Sequence, residues 1–147
     1  MEKRIKILFC CHGNICRSTM AQSIFTSLAE QRGVLSRVEI DSAATSREEI
    51  GNSMYPPAAR TLARHGVKQV AHRARQMDMD DYRFFDRIVV MDSENWYNVR
   101  RMTGGDPDNK VSYLLDRPVE DPWYTDDFET AYQDILEGCE LLLDDLT

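Results

Sequence analysis

The sequence predicts an α/β fold in one domain spanning residues 1–147, a four-stranded parallel sheet flanked by helices on both faces. Three observations predict it. Short apolar runs alternate with stretches of helical periodicity, and that alternation builds a parallel sheet whose crossovers cover it. No internal repeat, low-complexity tract or Pro/Gly/Ser-rich linker divides the chain. A length of 147 residues is enough to bury one core without disulfides or metals.

The elements follow in order. "IKILF" (5–9) reads as a buried first strand. From Ser18 the sequence places Met20, Ala21, Ile24, Phe25, Leu28 and Ala29 on one helical face, and Gly33 stops that helix. "RVEIDSA" (37–43) is a second strand. "PPAARTLARHG" (56–66) opens with prolines suited to a helix start and ends in Gly66. "DRIVVMD" (86–92) is a third strand, followed by a helix over "SENWYNVRRM" (93–102) with Ser93 as its expected cap. "NKVSYLL" (109–115) is a fourth strand. In the last stretch Phe128, Tyr132, Ile135, Leu136, Cys139, Leu142, Leu143 and Leu146 repeat at helical spacing, which makes Cys139 a core residue.

Composition narrows the function classes. With 29% charged and 42% hydrophobic residues, the chain has the make-up of a globular protein rather than a disordered one. Its apolar N-terminal run is too short for a signal peptide or a membrane span, so no membrane insertion and a cytoplasmic location are expected. Three clustered cysteines and a remote fourth do not form a secreted disulfide framework. The net charge of -7 is uneven: residues 1–75 carry 12 Lys/Arg against 6 Asp/Glu, whereas residues 76–147 carry 6 against 19. No basic stripe with interleaved aromatics appears, which argues against nucleic-acid binding, while a small anion site in the basic half fits.

"CCHGNICRST" (10–19) is where that site belongs. Ligands of parallel sheets bind beyond the carboxyl ends of the strands, and this loop runs from the first strand into a helix N-terminus, where unpaired N–H groups and the dipole favour an anion. Gly13 and Asn14 tolerate positive φ, so successive N–H groups can turn inward as a nest. Arg17, six positions after Cys11, adds a planar fork for two phosphate oxygens. The same donors stabilise a thiolate, which makes Cys11 the candidate nucleophile. Cys10 alternates to the opposite face of the strand and belongs to the core.

"CHGNICRS" at 11–18 resembles the phosphate-binding signature of the low-molecular-weight protein tyrosine phosphatases, and "DSAATS" (41–46), "EIGN" (49–52) and "EDPWY" (120–124) are similar to further motifs of that family. The resemblance covers nearly the whole chain. It implies a Rossmann-like sheet and hydrolysis of phosphotyrosine through a cysteinyl-phosphate, without cofactor or metal, with phosphate and vanadate as site ligands. Cys11 would be the nucleophile, Arg17 the phosphate clamp and Asp121, in an Asp-Pro pair, the general acid and base. The resemblance further assigns His12, Gly13, Ile15 and Cys16 to the loop. Ser18 would bond the nucleophile's sulfur, and Asn14, Ser42 and His72 would hold the loop in shape. Asp92 would lie near Arg17, Trp123 and Tyr124 would form the aromatic wall, and Cys16 would trap an oxidised Cys11 as a disulfide. Phosphotyrosine proteins or peptides are the implied partners.

The sequence departs from the family pattern at three positions. Thr19 stands where proline is usual, His12 where leucine is common, and Glu48 where eukaryotic members often carry an aromatic. Glu48 and Glu49 at the rim would favour substrates with basic neighbours. Arsenate reductase chemistry would need two more cysteines, and residues 73–100 contain none. Protein-arginine phosphatases usually have threonine where this chain has Ile15. A sugar-transport phosphocysteine carrier would not need Arg17 with Asp121, and an inactive phosphate-binding module would not need all three. Cys10, Cys11, His12 and Cys16 are too close in sequence to face one metal ion.

Overall fold

The computed structural model describes residues 4–147. Its sheet holds β1 (Ile5–Cys11), β2 (Val38–Ala44), β3 (Arg87–Val90) and β4 (Val111–Tyr113) in the order β2-β1-β3-β4. All three pairings are parallel, with Phe9 opposite Ser42 and Val89 in the central registers. Crossovers are made by α1 (Arg17–Gln31), α2 (Pro56–Arg64), α3 (Met79–Phe84) and α4 (Ser93–Met102), and the chain ends in α5 (Pro122–Thr125) and α6 (Phe128–Leu146). No helix among the described residues is long and apolar enough to cross a membrane.

Alternation along β1 divides the core. Ile7, Phe9 and Cys11 face a layer containing Met20, Phe25, Ile135, Cys139 and Leu143 of α1 and α6. Leu8 and Cys10 face the opposite layer with Tyr82, Phe85, Ile88, Val90 and Val99. Cys10 and Cys139 are fully buried, as the sequence predicts. α1 is buried on more than its apolar face: Thr19, Gln22 and Ser23 are inside as well, so the helix lies beneath the loop it follows.

The structure corrects several boundaries. β1 continues through both Cys10 and Cys11, because the two residues pair with Ala43 and Ala44 of β2. β3 and β4 are shorter than their apolar runs: Leu114 N–H gives the last ladder bond to the Val90 carbonyl, and the next carbonyl, Met91, accepts instead from Val119 beyond β4. Asp92, not Ser93, caps α4 by accepting from the Asn95 N–H at 2.8 Å. A carboxylate at this position also meets the positive end of the helix dipole. Two short helices were not expected from the sequence. α3 is set by a capping box between Asp78 and Asp81, and α5 by the Asp121 side chain with Pro122 at its start.

Candidate active site

The loop between β1 and α1 is shaped by Asn14, which is fully buried at φ +60°. Its Oδ1 accepts from the Arg75 backbone N–H (3.3 Å) and lies 2.7 Å from His72 Nε2, so that ring nitrogen must donate. Its Nδ2 donates to Ser18 Oγ at 2.7 Å. The Ser18 hydroxyl proton is then left for Cys11 Sγ, 3.0 Å away. The Asn14 N–H also points at that sulfur, at 3.3 Å. One chain of bonds therefore fixes the unusual backbone and supplies two donors to Cys11, a set suited to a thiolate.

Asp41 lies behind His72, with Oδ1 3.4 Å from Nδ1, close enough to pair with the ring only when it is protonated. Burial pushes the His72 pKa below its ordinary value, Asp41 pulls it up and Arg75 pushes it down, with burial the largest effect. Ser42 is placed differently from expectation. Its Oγ donates to Gln22 Oε1 at 2.5 Å rather than to the loop, so it holds α1 from beneath β2. Asp41 and Gln22 were not singled out from sequence. Asp41 opens the "DSAATS" stretch, and Gln22 gives no signal because a buried glutamine within a helix looks like any polar position.

Arg17 is buried at 2% exposure and committed on several sides. Nη1 donates to Asp92 Oδ2 (2.6 Å) and to the Val119 carbonyl (2.8 Å), and Nη2 lies 3.5 Å from Asp121 Oδ2. Burial works against its charge, but Cys11, Asp92 and Asp121 outweigh it and raise the pKa. Asp121 uses its other oxygen to accept from the Trp123 N–H at 3.0 Å, capping α5. Thus Asp92, just beyond the end of β3, and Asp121, at the start of α5, both converge on the guanidinium.

A cavity of about 90 Å³ joins these parts. Cys11, Gly13, Ile15, Cys16 and Arg17 line it together with His12, Glu48, Glu49, Asp121, Trp123 and Tyr124. The loop residue Cys16 forms the N-cap of α1 without any side-chain cap, and no acidic residue occupies the first turn. The helix therefore presents free N–H groups at the cavity, an anion site by the physics of helix ends. Burial, then the Cys11 charge, push the Cys16 thiol well above its ordinary pKa. Thr19 donates its hydroxyl to the Cys16 carbonyl at 3.0 Å, tightening the turn where proline would have fixed φ. Trp123 packs on Tyr55 with ring centroids 4.8 Å apart, while Tyr124 is largely exposed. Among the described residues, no three His, Cys, Asp or Glu side chains converge as a metal-binding group.

The profile of the low molecular weight phosphotyrosine protein phosphatases matches residues 6–147. The chain belongs to this family. It is 39% identical to the low molecular weight protein-tyrosine-phosphatase YfkJ of Bacillus subtilis, over 95% of this chain and 94% of that protein. The crystal structure of YfkJ superposes with a TM-score of 0.94 and covers 98% of this chain and 95% of that one, at 37% identity. The human low molecular weight phosphotyrosine protein phosphatase is 36% identical over 94% of this chain and 93% of its own. The crystal structure of a Drosophila arginine phosphatase is also similar, with 31% identity, a TM-score of 0.89 and coverage of 97% and 98%. Family membership accounts for the four-stranded fold and for the position of the loop at the carboxyl end of β1.

Proposed function

We propose that residues 1–147 form one phosphatase domain that hydrolyses phosphotyrosine in proteins or peptides through a cysteinyl-phosphate. The observation that carries this reading is the pairing of Cys11 Sγ with the Ser18 hydroxyl and the Asn14 N–H at the uncapped N-terminus of α1, in a cavity that also holds Arg17 and Asp121. In the first step the Cys11 thiolate attacks phosphorus, the P–O bond to tyrosine breaks, and Asp121 gives its proton to the leaving phenolate. In the second, water attacks phosphorus, Asp121 takes a proton from it, and the Cys11 thiolate leaves. The α1 amides and the Arg17 fork hold the equatorial oxygens through both transition states.

The remaining residues keep these groups in place. Asn14, His72 and Ser18 hold the loop and the sulfur, Asp92 anchors Arg17, and Ser42 acts one step further out through Gln22. Trp123 and Tyr124 offer the phenyl ring an aromatic wall, with Glu48 across the mouth. The chemistry needs no cofactor or metal, and inorganic phosphate and vanadate are expected to compete for the loop. A thiolate nucleophile needs a reducing compartment, which supports a cytoplasmic location.

The Drosophila relative favours one alternative, a phosphoarginine substrate. Against it stand the apolar Ile15 in the loop and the aromatic wall. Phosphate release from phosphotyrosine, phosphoserine and phosphoarginine peptides, with and without vanadate, separates the two. Cys11→Ser should abolish turnover while keeping part of the phosphate affinity, because the loop donors remain. Wild-type rates in that variant, or preferential release from phosphoarginine, would overturn the corresponding part of this reading.

A further inference from the structure

His12 stands beside the nucleophile, yet its side chain turns to the rim. Nε2 lies 3.0 Å from Glu48 Oε2 and Nδ1 lies 4.0 Å from Glu94 Oε1. Glu48 belongs to the loop between β2 and α2, and Glu94 to the first turn of α4, so one imidazole links two separate elements. Both carboxylates are mostly exposed, at 69% and 72%, and the ring is 33% exposed. His12 also lines two cavities. One is the catalytic cavity, and the other, of about 170 Å³, continues past Tyr124 and Asp121 to Asp92, Glu94 and Asn95. Residues flanking a phosphotyrosine that enters the first cavity would pass over this rim.

We propose that His12 is a specificity-determining residue, setting the charge at the mouth through Glu48 and Glu94 and thereby the choice between acidic and basic neighbours of phosphotyrosine. This rests on the phosphotyrosine reading above. Without the imidazole the rim holds two uncompensated carboxylates. A protonated ring cancels one of them and holds Glu48 by a charge-assisted bond. The other charged groups facing the two cavities are Glu49, Asp92, Asp121, Arg17 and Cys11. Arg17 is already committed to Asp92 and Asp121 and so does not neutralise the rim. A cation between Glu48 and Glu94 makes the rim less negative and lets acidic flanks pass, whereas its loss leaves both carboxylates to reject them.

The test is the ratio of kcat/KM for two phosphotyrosine peptides, one with Lys and one with Glu beside the phosphotyrosine. It is measured on the full chain at one pH and low salt. His12→Lys, which keeps a fixed cation between Glu48 and Glu94, should lower the ratio about two- to five-fold relative to His12→Leu, the size expected of exposed ion pairs, and salt should shrink the difference. Because His12 lies in the phosphate loop, Glu94→Gln tests the same charge from an exposed helix turn and should lower the ratio. A ratio equal in His12→Lys and His12→Leu, or unmoved by Glu94→Gln, overturns the proposal while phosphotyrosine is still turned over. Absence of phosphotyrosine turnover by the wild type would instead overturn the functional reading.

Discussion

At the scale of single residues, the site works by giving each side chain two obligations. Asp121 is the clearest case. One carboxylate oxygen caps α5 and the other faces Arg17, so the proposed proton donor is also part of the local fold. Replacing it by alanine would confound the two roles. Asparagine separates them, because its side-chain oxygen still caps a helix but cannot deliver a proton. In Asp121→Asn, kcat should fall by about 10²–10⁴-fold for aryl phosphates of high phenol pKa, and much less for activated ones. A uniform loss across such a series would make Asp121 structural. Cys16 carries a second residue-scale prediction. Peroxide should convert the Cys11 thiolate to a sulfenic acid, and attack by the Cys16 sulfur should then release water and close a disulfide. Burial and the Cys11 charge hold Cys16 protonated in the resting site, but oxidation removes that charge. Cys16→Ser should therefore lose activity to peroxide as readily as the wild type but recover poorly with dithiothreitol. Full recovery would remove Cys16 from the scheme.

At the scale of elements, what could be read from the sequence depended on how locally each feature is determined. The buried strands and the long apolar face of α6 repeat a pattern over many residues and were legible. So was the loop at Cys11, where glycine, asparagine, arginine and cysteine each have a separate chemical reason to be present. α3 and α5 were not, because each lasts only one or two turns and is fixed by capping carboxylates rather than by periodicity. The link from Ser42 to Gln22 was hidden for another reason: it depends on how α1 lies against β2, which no local pattern specifies. Gly138 shows the same limit from the packing side. A Cβ there would come within 2.4 Å of Leu114 Cγ, and Leu114 is buried in the segment that leads from β4 towards Val119 and Asp121. Helix propensity favours alanine over glycine by about 1 kcal/mol, whereas overpacking costs about 1–3 kcal/mol. At this distance from a branching carbon the overpacking should win. Gly138→Ala is expected to lose about 1–2 kcal/mol, read as a lower Tm, at ~2–4 °C per kcal/mol for a chain of this size. An unchanged or higher Tm would show that Leu114 gives way freely.

At the scale of the whole molecule, the charge asymmetry along the sequence does not become a dipole of separated halves, because many ion pairs join the two. Arg17 meets Asp92 and Asp121, Arg32 meets Asp144, and His65 meets Glu129. Stability should accordingly be broad near neutrality and fall at both extremes, for different groups. His72, Asp127 and Glu129 all have pKa values lowered from their ordinary 6.5, 3.8 and 4.5. A lowered pKa means the unfolded chain binds the proton first, so their contribution is complete above the ordinary value and lost as pH falls through the folded one. His72 is the first to act, below about pH 6.5: its Nε2–H bond to Asn14 survives protonation, so the loss comes from placing charge on a ring buried behind the phosphate loop. The two exposed carboxylates follow below about pH 4 and, being solvated, contribute little. On the alkaline side Tyr82 and Tyr132 are raised from 10.0, chiefly by burial, and Cys10 from 9.0 by the same cause. Their unfolded forms lose the proton first, so stability present below those ordinary values declines as pH rises towards the folded ones. Thermal unfolding across pH should therefore show a plateau around pH 7–8 with losses beginning near 6 and above 9. In His72→Gln, where an amide can still donate to Asn14 but cannot titrate, the first acid step should disappear while the alkaline limb stays. If that step persists unchanged in the variant, the acid sensitivity belongs to other groups and not to the imidazole behind the phosphate loop.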